Sequence, residues 1–146
     1  MWLTKIGTHG LVWLALGVAV TVLRRRLLPF VLVALAVLAA DGLAGLVKAA
    51  VGEKRPTEPG PLVTIPHSHS FPSGHTATAF AGAMVLSVLV PRAAPAFFVL
   101  AAAIAYSRLY VGVHFPLDVI GGAVIGLATA LLLLAVARRR SVRLRQ

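Results

Sequence analysis

The sequence contains no cysteine. That excludes disulfides, thiolate nucleophiles and cysteine-based zinc or iron–sulfur sites, and it leaves the redox compartment open. Acids are almost as scarce: Asp41, Glu53, Glu58 and Asp118 are the four carboxylate side chains in 146 residues. Charged residues make up 12% of the chain, against roughly a quarter in an ordinary soluble domain. Hydrophobic residues fill the gap at 59%, which makes lipid the expected solvent. A chain of this length supports one domain, so a single membrane-embedded unit over residues 1–146 is expected.

The net charge of +10 raises the question of nucleic acid, but the placement of the cations argues against that partner. Nine of the 14 Lys and Arg residues gather at the ends of apolar runs: Arg24 to Arg26, Arg92, and Arg138, Arg139, Arg140, Arg143 and Arg145. Such clusters mark the cytoplasmic ends of transmembrane helices. The remaining five, Lys5, Lys48, Lys54, Arg55 and Arg108, would then lie on the outer face with all four acids. This division places the active end outside the cytoplasm and the C-terminus within it.

Five apolar runs are long enough, or nearly so, to cross a bilayer, which takes about 20 helical residues. They are Ile6 to Leu23, Leu27 to Val47, Thr76 to Val90, Ala93 to Tyr106, and Pro116 to Ala137. The first is followed by arginines, the reverse of a secretory signal, so it reads as a retained span. The expected fold is therefore an all-α, polytopic transmembrane bundle of about five spans. The third and fourth runs reach full length only by including His75 on one and Ser107 with Arg108 on the other. Polar groups at such depth belong in a cavity inside the bundle. Between the second and third runs, Pro56, Pro59, Pro61, Pro66 and Pro72 forbid a continuous helix.

Three segments at span ends on one side carry the chemistry. They are Lys48 through Arg55-Pro56; Pro72-Ser73-Gly74-His75; and Ser107-Arg108 through His114 to Asp118. Lys48, Arg55 and Arg108 supply cations, and a guanidinium matches phosphate oxygens in pairs. Ser73 and Gly74 stand where the third helix begins, and free N–H groups there attract an anion. His114 and Asp118, four residues apart, form a carboxylate–imidazole pair that sets the ring tautomer. His75 is the partner histidine, placed to protonate a leaving oxygen. A purely structural bundle has no reason to collect these groups at one mouth.

At these residues the sequence resembles the type-2 phosphatidate phosphatase superfamily, the lipid phosphate phosphatases related to vanadium haloperoxidases, and within it a small bacterial-type membrane member. Its three motifs are Lys, six residues, Arg-Pro; Pro-Ser-Gly-His; and Ser-Arg, five residues, His, three residues, Asp. All three are complete between Lys48 and Asp118. The resemblance implies His114 as nucleophile, Asp118 as its support, and His75 as general acid and later base. It implies Lys48, Arg55, Ser73, Gly74 and Arg108 as the phosphate-binding set, with no metal and no cofactor. The expected reaction is hydrolysis of a membrane lipid phosphate through a phosphohistidine. Phosphatidate, phosphatidylglycerophosphate and polyprenyl phosphate or diphosphate are the candidate substrates. The alternatives are a non-catalytic lipid-phosphate-binding or transport protein and a vanadate-dependent haloperoxidase. Many membrane members have six spans, and the expectation here is five, without a counterpart to the first.

Other residues carry weaker signals. His67 and His69 form a His-x-His that reads either as a solvated loop or as metal ligands with Glu58. Asp41 lies two turns before Lys48 on the same helix face, so it either holds a motif cation or bonds a neighbouring helix. Gly122 and Gly126 permit close helix approach, within the core or in a homodimer. Tyr106 and Tyr110 read as interfacial aromatics.

Overall fold

A computed structural model describes residues 10–56, 62 and 67–143, with side chains as far as residue 139. Lys5, Glu58, Pro59, Pro61, Pro66 and Arg145 lie outside the described residues, as does the start of the first apolar run. The side chains of Arg140 and Arg143 do too. The described residues form five α-helices: α1 (Leu11–Arg24), α2 (Leu28–Val51), α3 (Gly74–Leu89), α4 (Ala94–Tyr110) and α5 (Pro116–Arg143). A 3-10 turn at Pro91–Ala93 leads into α4.

Three segments are long and apolar enough to cross a membrane: Leu28–Val51, Pro91–Tyr110 and Pro116–Arg139, with mean hydropathies of 2.4, 1.4 and 2.5. The described part of α1 and the whole of α3 are shorter apolar helices. At 1.5 Å per residue, the 24 residues of α2 reach about 36 Å and the 16 of α3 about 24 Å. Each helix runs past the polar residue where its apolar run stops. Thus α2 includes Lys48, α3 begins at Gly74 and so includes His75, and α4 carries Ser107 and Arg108. Backbone hydrogen bonding, not hydropathy, sets those ends.

The central helix is α3, which packs on α5, α2 and α4 and touches α1. Its small side chains allow this: Ala77, Ala79, Ala81 and Ala83 are all fully buried. Gly82 admits the ring of Trp13 from α1, since a Cβ at that position would lie 2.5 Å from Trp13 Cγ. On α5, Gly122 and Gly126 face the backbone of α3, and a Cβ on either would strike the carbonyl oxygen of Ser73 or Ala77. The glycine pair therefore serves packing within the chain. Large apolar side chains such as Leu38, Leu46, Val99 and Leu132 point outward and are about two-thirds exposed. Such a belt suits lipid.

The helix ends sort by charge. At one end Arg25 closes α1 in a left-handed conformation (φ 51), and its N–H bonds Thr21 and Val22 carbonyls. Beside it the Arg24 guanidinium donates to the Leu89 carbonyl, at the negative end of the α3 dipole. The motif residues occupy the opposite end. Tyr106 and Tyr110 stand exposed on α4, with ring centroids 6.5 Å apart.

The α3–α5 contact yields a direct test. Gly126→Ala should destabilise the protein in detergent by about 1–3 kcal/mol, because the new methyl meets backbone that cannot yield. Gly42 and Gly45 have nothing within 4 Å of a built Cβ. Gly42→Ala should therefore be neutral, or stabilising by up to about 1 kcal/mol through helix propensity. Thermal unfolding of the two variants side by side checks this.

Candidate active site

The C-terminal ends of α2 and α4, the N-terminal end of α3 and the turn before α5 meet around a cavity of about 300 Å³. Its lining includes Lys48, Arg55, Gly74, His75, Arg108 and His114, six of the eight residues singled out from the sequence. Asp41 also lines it, two turns before Lys48 on the same face of α2, with Oδ1 3.5 Å from where a Gly74 Cβ would lie.

The other two, Ser73 and Asp118, are fully buried behind the lining. Ser73 caps α3: its Oγ accepts from the Thr76 N–H at 3.4 Å and from Thr76 Oγ1 at 3.0 Å. Its own N–H donates to the Asp118 carbonyl at 2.9 Å. Ser73 was expected in the phosphate-binding set, where the third helix begins; in the structure its hydroxyl and its N–H both fix that helix start.

Asp118 lies in the first turn of α5, with Pro116 as the first helical residue, a position that needs no N–H. Its Oδ2 accepts from His114 Nδ1 at 3.0 Å, from the Phe115 N–H at 2.8 Å and from Ser70 Oγ at 2.5 Å. With Nδ1 carrying the proton, His114 Nε2 keeps its lone pair. That nitrogen is 3.1 Å from Arg55 Nη1, which donates to it. Burial outweighs the Asp118 hydrogen bond and, with Arg55 and Lys48 adding to it, lowers the His114 pKa to about 4. The ring is therefore neutral near neutral pH, with the Nε2 lone pair accepting from Arg55.

The cations are held by backbone. Lys48 Nζ donates to the carbonyls of His69 at 2.9 Å and Ser70 at 3.1 Å. Arg55 donates from Nε to the Ser68 carbonyl and from Nη1 to the Val113 carbonyl, both at 2.8 Å. Its Nη2 reaches Ser68 Oγ at 3.1 Å and the His69 carbonyl at 3.3 Å. Arg108 is 3% exposed and donates from Nε and Nη2 to Ser107 Oγ. Residues 67–70 thus form a strap across the two outer cations.

Sequence reasoning singled out His67 and His69 in this strap and passed over the serines between them. Both histidines are exposed and outside the cavity lining. Among the described residues, no three His, Asp or Glu side chains gather as a metal cage. Ser68 and Ser70 hold Arg55 and Asp118 instead.

The arrangement can hold a tetrahedral dianion between three cations and a helix N-terminus, opposite a neutral imidazole with one fixed tautomer. The His114 ring should stay uncharged in solution NMR of histidine-labelled protein from neutral pH down to near 4. Asp118→Asn removes the hydrogen-bonding and charge effects that raise its pKa, so its protonation should move lower still.

Comparison with known proteins identifies the family. Residues 29–141 match the family described as the PAP2 superfamily. A decaprenylphosphoryl-5-phosphoribose phosphatase of Mycolicibacterium smegmatis is 34% identical over 82% of this chain and 67% of its own length. The crystal structure of a transmembrane PAP2-type phosphatidylglycerolphosphate phosphatase from Bacillus subtilis superposes with a TM-score of 0.76 at 25% identity, over 94% of this chain and 74% of that one. The structure of Aquifex aeolicus LpxE gives 0.61 at 28% identity, over 90% and 86%. The segment from Pro29 to the basic end of α5, with the whole constellation inside it, places this chain in the PAP2 superfamily.

Proposed function

We propose that this protein hydrolyses a phosphomonoester, or a terminal diphosphate, on a membrane lipid through a phosphohistidine at His114. The observation that carries the reading is the His114 ring itself. Nδ1 is tied to a buried carboxylate, and Nε2 is turned towards a cavity lined by Lys48, Arg55 and Arg108.

Phosphoryl transfer needs mainly positioning and stabilisation of charge on the equatorial oxygens. Lys48, Arg55, Arg108 and the first N–H groups of α3 supply that stabilisation. The phosphate displaces Arg55 Nη1 from His114 Nε2, which then attacks phosphorus as the bond to the lipid oxygen breaks. His75 gives its proton to that oxygen, and the lipid alcohol leaves. Asp118 stabilises the imidazolium through Nδ1–H. Water then attacks the phosphohistidine, His75 takes the water's proton, and the P–N bond breaks to release inorganic phosphate. The apolar outer belt favours a substrate whose tail stays in the bilayer. Phosphatidate, phosphatidylglycerophosphate and polyprenyl phosphate or diphosphate all meet that condition.

The roles of the histidines separate by leaving group. General acid help is worth about 10²–10⁴-fold and matters most for a poor leaving group such as a lipid alkoxide. His114→Ala should abolish turnover with every substrate. His75→Ala should lose hydrolysis of a lipid monophosphate yet still release phenol in a single-turnover burst from an aryl phosphate. A burst from His114→Ala and none from His75→Ala would reverse the assignment.

The cavity lies at the end remote from Arg24, Arg92 and Arg138, and the positive-inside rule supports an extracytoplasmic placement of that end. Lys54 is exposed there, and the native chain has no cysteine to interfere. Lys54→Cys should react with a membrane-impermeant thiol reagent in intact cells. Labelling that needs lysis would invert the orientation.

A further inference from the structure

Asp41 lines the cavity, and the phosphoryl-transfer steps make no use of it. Among the described residues it is the one acid in that lining. It stands within Leu28–Val51, a segment long and apolar enough to cross a membrane. An acid at such a position is costly and marks a function by default. The residue is exposed, so it is not a buried tie between two helices.

Two levels divide the cavity. Lys48 and Arg55 form the outer one, where the strap carbonyls hold them. Arg55 Nη1 meets His114 Nε2 at 3.1 Å, so the nucleophile belongs to the same level. Asp41 precedes Lys48 by two turns of α2, which at 1.5 Å per residue puts it about 10 Å further into the membrane. The short α3 starts at that inner level, since a Cβ on Gly74 would lie 3.5 Å from Asp41 Oδ1. His75 follows in the first turn of α3. Thr78, one turn on, completes the inner lining, and its hydroxyl donates to the His75 carbonyl at 3.1 Å.

In-line transfer puts the attacking nitrogen and the leaving oxygen on opposite sides of phosphorus. With His114 outside and His75 at the leaving oxygen, the leaving group occupies the inner level, beside Asp41. A carboxylate there discriminates in two ways: it accepts a hydrogen bond from a hydroxyl, and it repels an anion. We propose that Asp41 is a specificity-determining residue that reads the leaving group, and that the substrate is a lipid phosphomonoester whose leaving alcohol carries a further hydroxyl beside the ester. A terminal diphosphate is disfavoured, because its leaving group is itself a phosphate and faces Asp41. The proposal rests on the reading of His114 as nucleophile and His75 as acid, and it narrows the substrates of that reaction. Glycerol and sugar headgroups both supply the hydroxyl.

Phosphate release in detergent tests this with four lipids: phosphatidylglycerophosphate, a lipid-linked sugar phosphate, phosphatidate and farnesyl diphosphate. The first two carry the hydroxyl, and the faster of them names its source. Native kcat/KM for that substrate should exceed the values for phosphatidate and for the diphosphate by about tenfold or more. Asp41→Asn removes the charge and should raise the diphosphate rate relative to phosphatidate by about tenfold. Asp41→Ala removes the acceptor too and should erase the preference for the hydroxyl. A native preference for the diphosphate, or a uniform fall in all four rates in both variants, would overturn the inference. A binding measurement needs neither turnover nor a variant. The native protein should bind methylenediphosphonate no more tightly than methylphosphonate in calorimetry, whereas a cavity presenting cations alone would favour the more highly charged ligand. Tighter binding of the diphosphonate sinks the inference. Absence of phosphate release from every lipid, with methylphosphonate still preferred, counts against the phosphatase reading alone.

Discussion

Asp118 Oδ2 accepts from Ser70, His114 and the Phe115 N–H, while the Asp118 carbonyl takes the N–H of Ser73. Four contacts from one residue join the strap, the turn before α5, and the start of α3. The geometry of the mouth depends on this knot. The helix N-terminus that faces the cavity is fixed to the same residue that sets the histidine tautomer, so that helix end and the imidazole are held in one register. A short polar side chain, fully buried, with three donors converging on one of its oxygens, does this with little conformational freedom to lose.

The knot would be loose if α3 and α5 were not pressed together, and that contact is made of small residues. Hydrocarbon tails solvate leucine as well as another leucine does, so helices in a bilayer gain little from burying large apolar groups. Close backbone approach takes the place of that gain. Gly122 against the Ser73 carbonyl and Gly126 against the Ala77 carbonyl bring α5 onto the first turns of α3, directly beneath the cavity. The first of these contacts uses the carbonyl of the capping serine itself, so packing and site assembly share an atom.

The bundle and the three motif segments were legible in the sequence because polar residues stand out against an apolar background. Lys48, Arg55, His75, Arg108 and His114 do come together. Helix ends were less legible. Hydropathy stops at the first polar side chain, while α2 and α4 continue through Val51 and Tyr110. The strap was least legible, since Ser68, His69 and Ser70 act largely through carbonyl oxygens that every residue possesses. The glycine pair had two readings in sequence, and the neighbouring backbone atoms decided between them.

The carbonyls that hold Lys48 and Arg55 bear on how the enzyme empties itself. Neither cation faces the cavity bare between catalytic cycles, because strap oxygens already occupy its donors. An arriving phosphate group therefore exchanges one set of oxygens for another, and its net affinity is the difference between the two. Inorganic phosphate, with no tail to anchor it, competes with the strap on headgroup contacts alone. A substrate held in the bilayer would add the contribution of its tail to those headgroup contacts.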